Sequence, residues 1–415
     1  MVLIVWGHLL SSDSLQFGYN ARTSTTHCIW LVTKVVQHLL RGGVNLIVTV
    51  FDCSKSPIFW AVYADPLLQC LRDLGLGAHV AGLLTGAVSY ADDVLLIAPT
   101  RSAMQRMLIE METFAQESNI TFSTHNLPSK SKSKCIYVVG KKTNLSKPAP
   151  LVLCGQELPF VAQADHLGNT LSEQGDMEKD TAVKRARFIQ SSVETKELFK
   201  WAAPAEILKA TKVYSTSFYG SNLWDLGGEK AKQVYNAWNT AVKMAWGFPI
   251  WTRTWIVQQL LCCGHSSARV DILCRYVNFF HSLRRSASHE VQVLSRFLAR
   301  DVQSNTGRNL PYIQDETGLC PWTASRRGLR DALVAGEVAE VPPQDRWRLP
   351  YLGSLLSQRR EARTLALEEE ENRLSKLIDI FSFLMIKMIL LFSTFIEMNS
   401  YQVERRGQVR PRHRP

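Results

Sequence analysis

Tyr90-Ala91-Asp92-Asp93 is the stretch of this chain best equipped for chemistry. Ala87 and Val88 precede it and Val94-Leu95-Leu96-Ile97 follow it, so two apolar strands would carry a pair of carboxylates to the tip of a hairpin. Adjacent acids on a turn repel each other. A divalent cation relieves that repulsion, and an all-oxygen donor set suits Mg²⁺, with Mn²⁺ as the alternative. Nucleotidyl transfer uses two such cations, one activating a 3′-hydroxyl and one stabilising the leaving pyrophosphate, and it needs a further acid from another strand. Asp52 is the candidate, because it closes the β-branched run Val44 to Phe51. Taken without context, Asp92-Asp93 also suits an Asp-rich β-turn, since Asp bonds its own backbone in turns.

The elements that must position these acids show as periodicities. Val35 to Leu40 reads as helix, Arg41-Gly42-Gly43 breaks it, and the next strand delivers Asp52 at its C-terminal end. From Phe59 to Leu74 apolar residues recur every three and four positions, the pattern of an amphipathic helix ending at Gly75. Val80 to Ile97 reads as strand, tight turn, strand. Ser102 to Gln116 is helical, with Met104, Met107, Leu108, Met111 and Phe114 on one face, a stripe best explained as core packing. Lys130, Lys132 and Lys134 alternate before the strand Cys135 to Val139. In an extended segment they would face one side, suited to a phosphate backbone, while a solvated loop is the plainer reading. Beyond Lys141 the pattern becomes mostly helical and tryptophan-rich. There Lys184, Arg185, Arg187, Arg253, Arg269, Arg275, Arg284 and Arg285 suit either a nucleic-acid channel or a helical core with snorkelling arginines.

Composition limits the partners. The 415 residues carry 48 Lys and Arg against 37 Asp and Glu, a balance of +11 with pI near 9.2, which excludes an acidic solvating chain. Polyanions are the expected partners, nucleic acid first and an anionic membrane surface second. Nine cysteines, an odd number without a CxxC pair, read as reduced thiols of an intracellular protein of cytoplasm or nucleus. Cys262-Cys263-Gly264-His265 is spaced too tightly to close a zinc tetrahedron, so no zinc is expected. The apolar run Val2 to Trp6 is too short for a signal-peptide core. Ile380 to Ile396 is strongly apolar but carries Lys387 at its middle, which leaves membrane association as a minor reading.

The tetrapeptide in its strand-turn-strand setting resembles the palm of reverse transcriptases from non-LTR, LINE-type retrotransposons. Leu15-Gln16-Phe17-Gly18-Tyr19 with Ser24-Thr25-Thr26 looks like the segment preceding that palm. Val48-Thr49-Val50-Phe51-Asp52-Cys53-Ser54-Lys55 looks like the first half of the family's first catalytic motif. Ser56-Pro57-Ile58-Phe59 resembles the stretch just after its template-gripping motif, and Asn126 to Lys134 resembles the motif whose lysine lies near the triphosphate, Lys132 being the closest match. His166-Leu167-Gly168 resembles the Leu-Gly turn of the primer grip. The likeness covers about residues 10–375 and is strongest over 48–170.

The resemblance implies RNA-directed DNA synthesis, with Asp52, Asp92 and Asp93 as catalytic Mg²⁺ ligands. Tyr90, Lys132, Lys134, Leu167 and Gly168 would lie along nucleotide and primer; RNA template, DNA primer and dNTPs are the implied partners. The expected fold is α+β: a truncated palm of antiparallel sheet and helices, then a mostly helical thumb-like and C-terminal region. The expected divisions are 1–140 for partial fingers and palm, 141–340 for the helical region, 341–376 for a charged linker and 377–415 for an apolar segment with a basic tail.

One departure bears on activity. In the family a long segment separates the first motif from the Gln-Gly motif, whereas Lys55 here runs directly into Ser56-Pro57 and no Gln-Gly pair lies between Asp52 and Asp92. The missing block would hold the pocket wall and part of the template track. Impaired catalysis is therefore expected, and a catalytically silent nucleic-acid-binding remnant of a retroelement is the alternative.

Overall fold

Ser24 starts the first helix by accepting a hydrogen bond from the His27 backbone N–H, which satisfies one of the donors a helix leaves open at its start. In this computed structural model the helix, α1, runs over Thr25–Arg41 and is followed by β1 (Leu46–Asp52) and α2 (Pro57–Asp73). The structure describes residues 13–18, 22–52, 57–118, 122, 124, 131–140, 147–175, 178–200, 202, 206–208, 210–211, 218–254 and 267–337, with the backbone alone at 52, 57–64, 178–179 and 336–337.

A four-stranded antiparallel sheet is the centre of the fold. β1 pairs on one side with β5 (Asp93–Ala98) and on the other with β6 (Lys134–Val138), and β4 (Ala87–Tyr90) adds to β5, giving the order β4-β5-β1-β6. Val48, Phe51, Leu95, Leu96 and Ile136 in it are essentially inaccessible. Helix α3 (Arg101–Glu117) covers one face: Met104 Sδ lies 3.5 Å from Thr49 Oγ1, and the predicted stripe Met104, Met107, Leu108, Met111 and Phe114 is core. Burying each such side chain stabilises the fold by about 1.5–3 kcal/mol.

α1 covers the other face, where Thr33 and Val36 line a small cavity with Val48 and Ile136. Ten consecutive residues, His27 to Val36, are buried, so this helix is enclosed on all sides rather than packed by one stripe. Enclosure also explains why the sequence shows helical period only over its last turns.

Two stretches differ from the sequence expectation. Val80 to Ile97 holds a further small hairpin, β2 (His79–Val80) and β3 (Leu83–Leu84), ahead of β4. Beyond Lys141 two more hairpins precede the helices: β7 (Leu151–Leu153) with β8 (Gln156–Leu158), and β9 (Gln163–His166) with β10 (Asn169–Ser172). Strands of two to four residues are too short for alternation to register. All three hairpins turn on a residue followed by glycine, both at positive φ: Ala81-Gly82, Cys154-Gly155 and Leu167-Gly168. That is the type I′ geometry that matches strand twist.

The remainder is helical, as expected, with no strand after Ser172 among the described residues: α4 (Glu178–Leu198), α5 (Glu229–Ala245), α6 (Ala268–Arg284), α7 (His289–Arg300), α8 (Asn305–Thr317) and α9 (Arg326–Glu337). The architecture is thus α+β. Among the described residues no helix is long and apolar enough to cross a membrane.

The chain divides into two compact units, Met1–Glu197 with Leu208–Ala339, and Leu198–Ile207 with Glu340–Pro415. Nearly all of the second lies outside the described residues, including the charged segment 341–376 and the apolar run Ile380 to Ile396. Cys262, Cys263 and His265 lie outside them as well.

Candidate active site

Strand register sets the site. In the β1–β5 pair Asp52 stands directly opposite Asp93, and in the β4–β5 pair Tyr90 stands opposite the same Asp93. Directly opposed positions share a face of the sheet. The last position of β1 is therefore brought opposite Asp93 by the pairing of Val48, Val50 and Phe51 with Ile97, Leu95 and Val94. Slipping this register by one residue would send the whole apolar set to the wrong face, so the hydrophobic pattern fixes the acid position.

Ala91-Asp92 form a two-residue turn in which Ala91 has φ 52° and Asp92 does not share the positive region. This differs from the three glycine-containing hairpins and fits a type II′ turn, whose strained position is its first. Strain at such a residue persists only where neighbours hold it, and several do. Phe17 N–H donates to Ser89 O at 2.8 Å, Ser89 N–H donates to Leu15 O at 3.0 Å, and Ser89 Oγ donates to Ala91 O at 3.1 Å. Gln16 Nε2 donates to Ser89 Oγ at 3.2 Å. Gly18 rests on the turn itself: a Cβ there would lie 2.9 Å from Ala91 Cα and closer still to its nitrogen. The segment Leu15 to Gly18 and the acidic turn, separate signals in the sequence, form one unit.

Tyr90, Ala91, Asp92 and Asp93 are half-buried. Cys28 on α1 lies beside Asp93; burial pushes its thiol up, and the Asp93 charge adds to the effect. Burial likewise raises the Tyr219 hydroxyl, a hydrogen bond with Thr25 opposes this, and Tyr90 and Cys28 push it further up. Tyr219 Oη donates to Leu167 O at 3.1 Å, and its ring lies 3.3 Å from where a Gly168 Cβ would stand. Tyr219 thus ties the Leu167-Gly168 turn to the neighbourhood of Tyr90 and to the start of α1.

Behind that turn is a buried ion pair. Lys184 Nζ donates to Asp180 at 2.7 Å and to Asn169 Oδ1 at 2.8 Å, and it sits 5.6 Å from the Tyr219 ring centre. Burial raises Asp180 and lowers Lys184, each partner opposing the shift of the other. Lys184 is therefore a structural cation rather than a channel-lining one. Arg269 is held by Glu316 and Tyr312, Arg275 lies over Phe218 at 5.9 Å, and Arg284 lies over Trp322 at 5.1 Å. Arg185, Arg187 and Arg285 are exposed.

Lys134 opens β6 opposite Val50, two positions before Asp52, and the exposed Lys132 precedes it, so both lysines fall at the acid end of the sheet. Lys130 lies outside the described residues. A cavity of about 840 Å³ is at the other end of the sheet, lined by Arg41, Gly140, Gln174, Asp225, Lys230 and Arg308.

The donors at the acid end are oxygens, which fits Mg²⁺ or Mn²⁺. Among the described side chains no three of His, Cys, Asp or Glu converge, and Asp52 is placed opposite Asp93 by backbone register alone. Cys28, Tyr219 and Asp180 were not recognisable as parts of the site from sequence. Gly18 carried a signal through its place in the Leu15–Tyr19 stretch, and Lys184 through its place among the downstream basic residues, where its pairing with Asp180 did not show. No family model and no curated protein matches the chain.

Proposed function

We propose that the chain is an internally shortened reverse transcriptase of a non-LTR retroelement, an RNA-directed DNA polymerase acting by two-metal nucleotidyl transfer. The observation that supports this most is the register that sets Asp52 opposite Asp93 beside a tight acidic turn. Asp52, Asp92 and Asp93 would hold the cations. When bound, these would lower the pKa of the primer 3′-hydroxyl and neutralise charge on the phosphates. Tyr90 and Tyr219, with the Leu167-Gly168 turn, would position the primer end, and Lys132 and Lys134 would meet the triphosphate.

Four residues, Cys53 to Ser56, connect Asp52 to the first residue of α2. Such a short link leaves no chain for a template-gripping segment at this point. Positioning can supply on the order of 7–11 kcal/mol of a barrier, so little turnover is expected. This same link favours the second reading, a nucleic-acid-binding remnant without catalysis.

Purified protein with primed RNA template, Mg²⁺ and dNTPs separates the two. Weak primer extension abolished by Asp92→Ala and by Asp93→Ala supports the polymerase. Salt-sensitive primer-template binding with no extension under any metal supports the remnant.

A further inference from the structure

We propose that the groove between the Ala81-Gly82 turn and helix α7 binds a single-stranded nucleic acid. The groove, about 470 Å³, is lined by Ala81, Val293, Arg296, Phe297, Arg300 and Asp301. Arg296 and Arg300 stand one turn apart on α7, both exposed, and among the described residues neither makes a hydrogen bond or an ion pair. Like charges at this spacing repel, and among the described residues no acid is bonded to either.

Between them in sequence is Phe297, 38% exposed, with its ring held edge-on by His38 at 5.2 Å. Among the described residues Asp301 is the one acid lining the groove, and it is already bonded to Arg41 at 2.9 Å. Burial, with Arg41 acting in the same direction, lowers the His38 pKa, so that ring is an apolar support rather than a further cation. Beyond the Arg41–Asp301 pair the surface continues into the larger cavity, where Lys230 and Arg308 stand.

Two unpaired guanidinium groups flanking a fixed aromatic face match one chemistry closely. Guanidinium groups take phosphodiester oxygens, and an exposed ring takes an unpaired base by stacking. The base requirement selects a single strand over a duplex.

The groove is remote from the acidic turn. Ala78 N–H donates to Ile97 O at 2.8 Å, which anchors β2 near the end of β5 opposite Asp93. The inference therefore stands independently of the polymerase reading.

The test is fluorescence anisotropy of a short labelled single-stranded RNA, and of DNA of the same sequence, titrated with the full chain in chelator at several salt concentrations. Arg296→Gln with Arg300→Gln should weaken binding about tenfold or more and flatten the salt dependence by about 1.4 in log-log slope, two contacts at about 0.7 each. Phe297→Ala should weaken it roughly five- to hundredfold at unchanged slope. All three substitutions are at exposed positions, and circular dichroism of each variant verifies the fold. Unchanged affinity in these variants overturns the proposal, as does complete loss of binding in Lys132→Gln with Lys134→Gln at the other end of the sheet. Binding to phosphatidylserine vesicles with none to either oligonucleotide also overturns it. Groove-dependent binding without primer extension would remove only the polymerase reading.

Discussion

Lys184 is the side chain whose loss the candidate site should feel most. Its ammonium is nearly inaccessible and serves Asp180, Asn169 and the Tyr219 ring together. Lys184→Met would leave the Asp180 carboxylate buried without its counter-charge, a change expected to cost roughly 3–5 kcal/mol. Adding Asp180→Leu removes the orphaned charge and should recover much of that loss. Urea unfolding of the single and double variants checks this, and a single variant costing under about 1 kcal/mol would show that the pair is not what holds the turn. The loss should extend to the Leu167-Gly168 turn, because Asn169 and Tyr219 reach it from the same network.

At the scale of elements, α3 should respond like a core helix. Met104 is inaccessible and touches the central strand through Thr49. Met104→Ala is expected to lower stability by about 2–5 kcal/mol, read as a fall in denaturant midpoint at constant slope. Helix α3 was readable in the sequence because it presents a face with a clean period, and strand β1 because its β-branched run is continuous and long enough to register. The acidic turn was readable too, and so was its partner Asp52, since a strand that ends in an acid is a local pattern. β7 to β10 are too short to show a period, and α1 is enclosed, so Thr33 and Lys34 interrupt its apolar run without marking an outer face. Cys28 and Tyr219 reach the site only through long-range packing, which no local spacing encodes.

For the molecule as a whole, two histidines set the response to acid. His27 and His166 are buried, and burial lowers each pKa from 6.5 to about 4. The unfolded chain takes up these protons near pH 6.5 while the folded chain resists until about 4. The share of the stability that rests on these two rings is therefore fully present above about 6.5 and falls as the pH drops through that window, by up to about 1.4 kcal/mol per pH unit for each histidine. Asp13 and Asp180, raised by burial, act in the opposite sense and offset part of this at the acid end. Thermal unfolding studied from neutral pH toward about 4 should show a decline that is shallower in His27→Gln and in His166→Gln, and variants that keep the native slope would mean that neither ring stays neutral in the fold.

His27 also sets a schedule for the nascent chain. It stacks on Phe279 at 5.5 Å and hydrogen-bonds Ser282 at 2.9 Å, a partner 255 positions later in the chain. At about 5–20 residues per second the ribosome needs roughly 10–50 s to supply that partner. Until that partner arrives α1 has at most the sheet on one side and lacks α6 on the other, so its apolar surface is open to chaperones or to neighbouring chains. Yield in cells should therefore depend on translation speed and chaperone supply more steeply than the equilibrium stability of the finished fold would indicate.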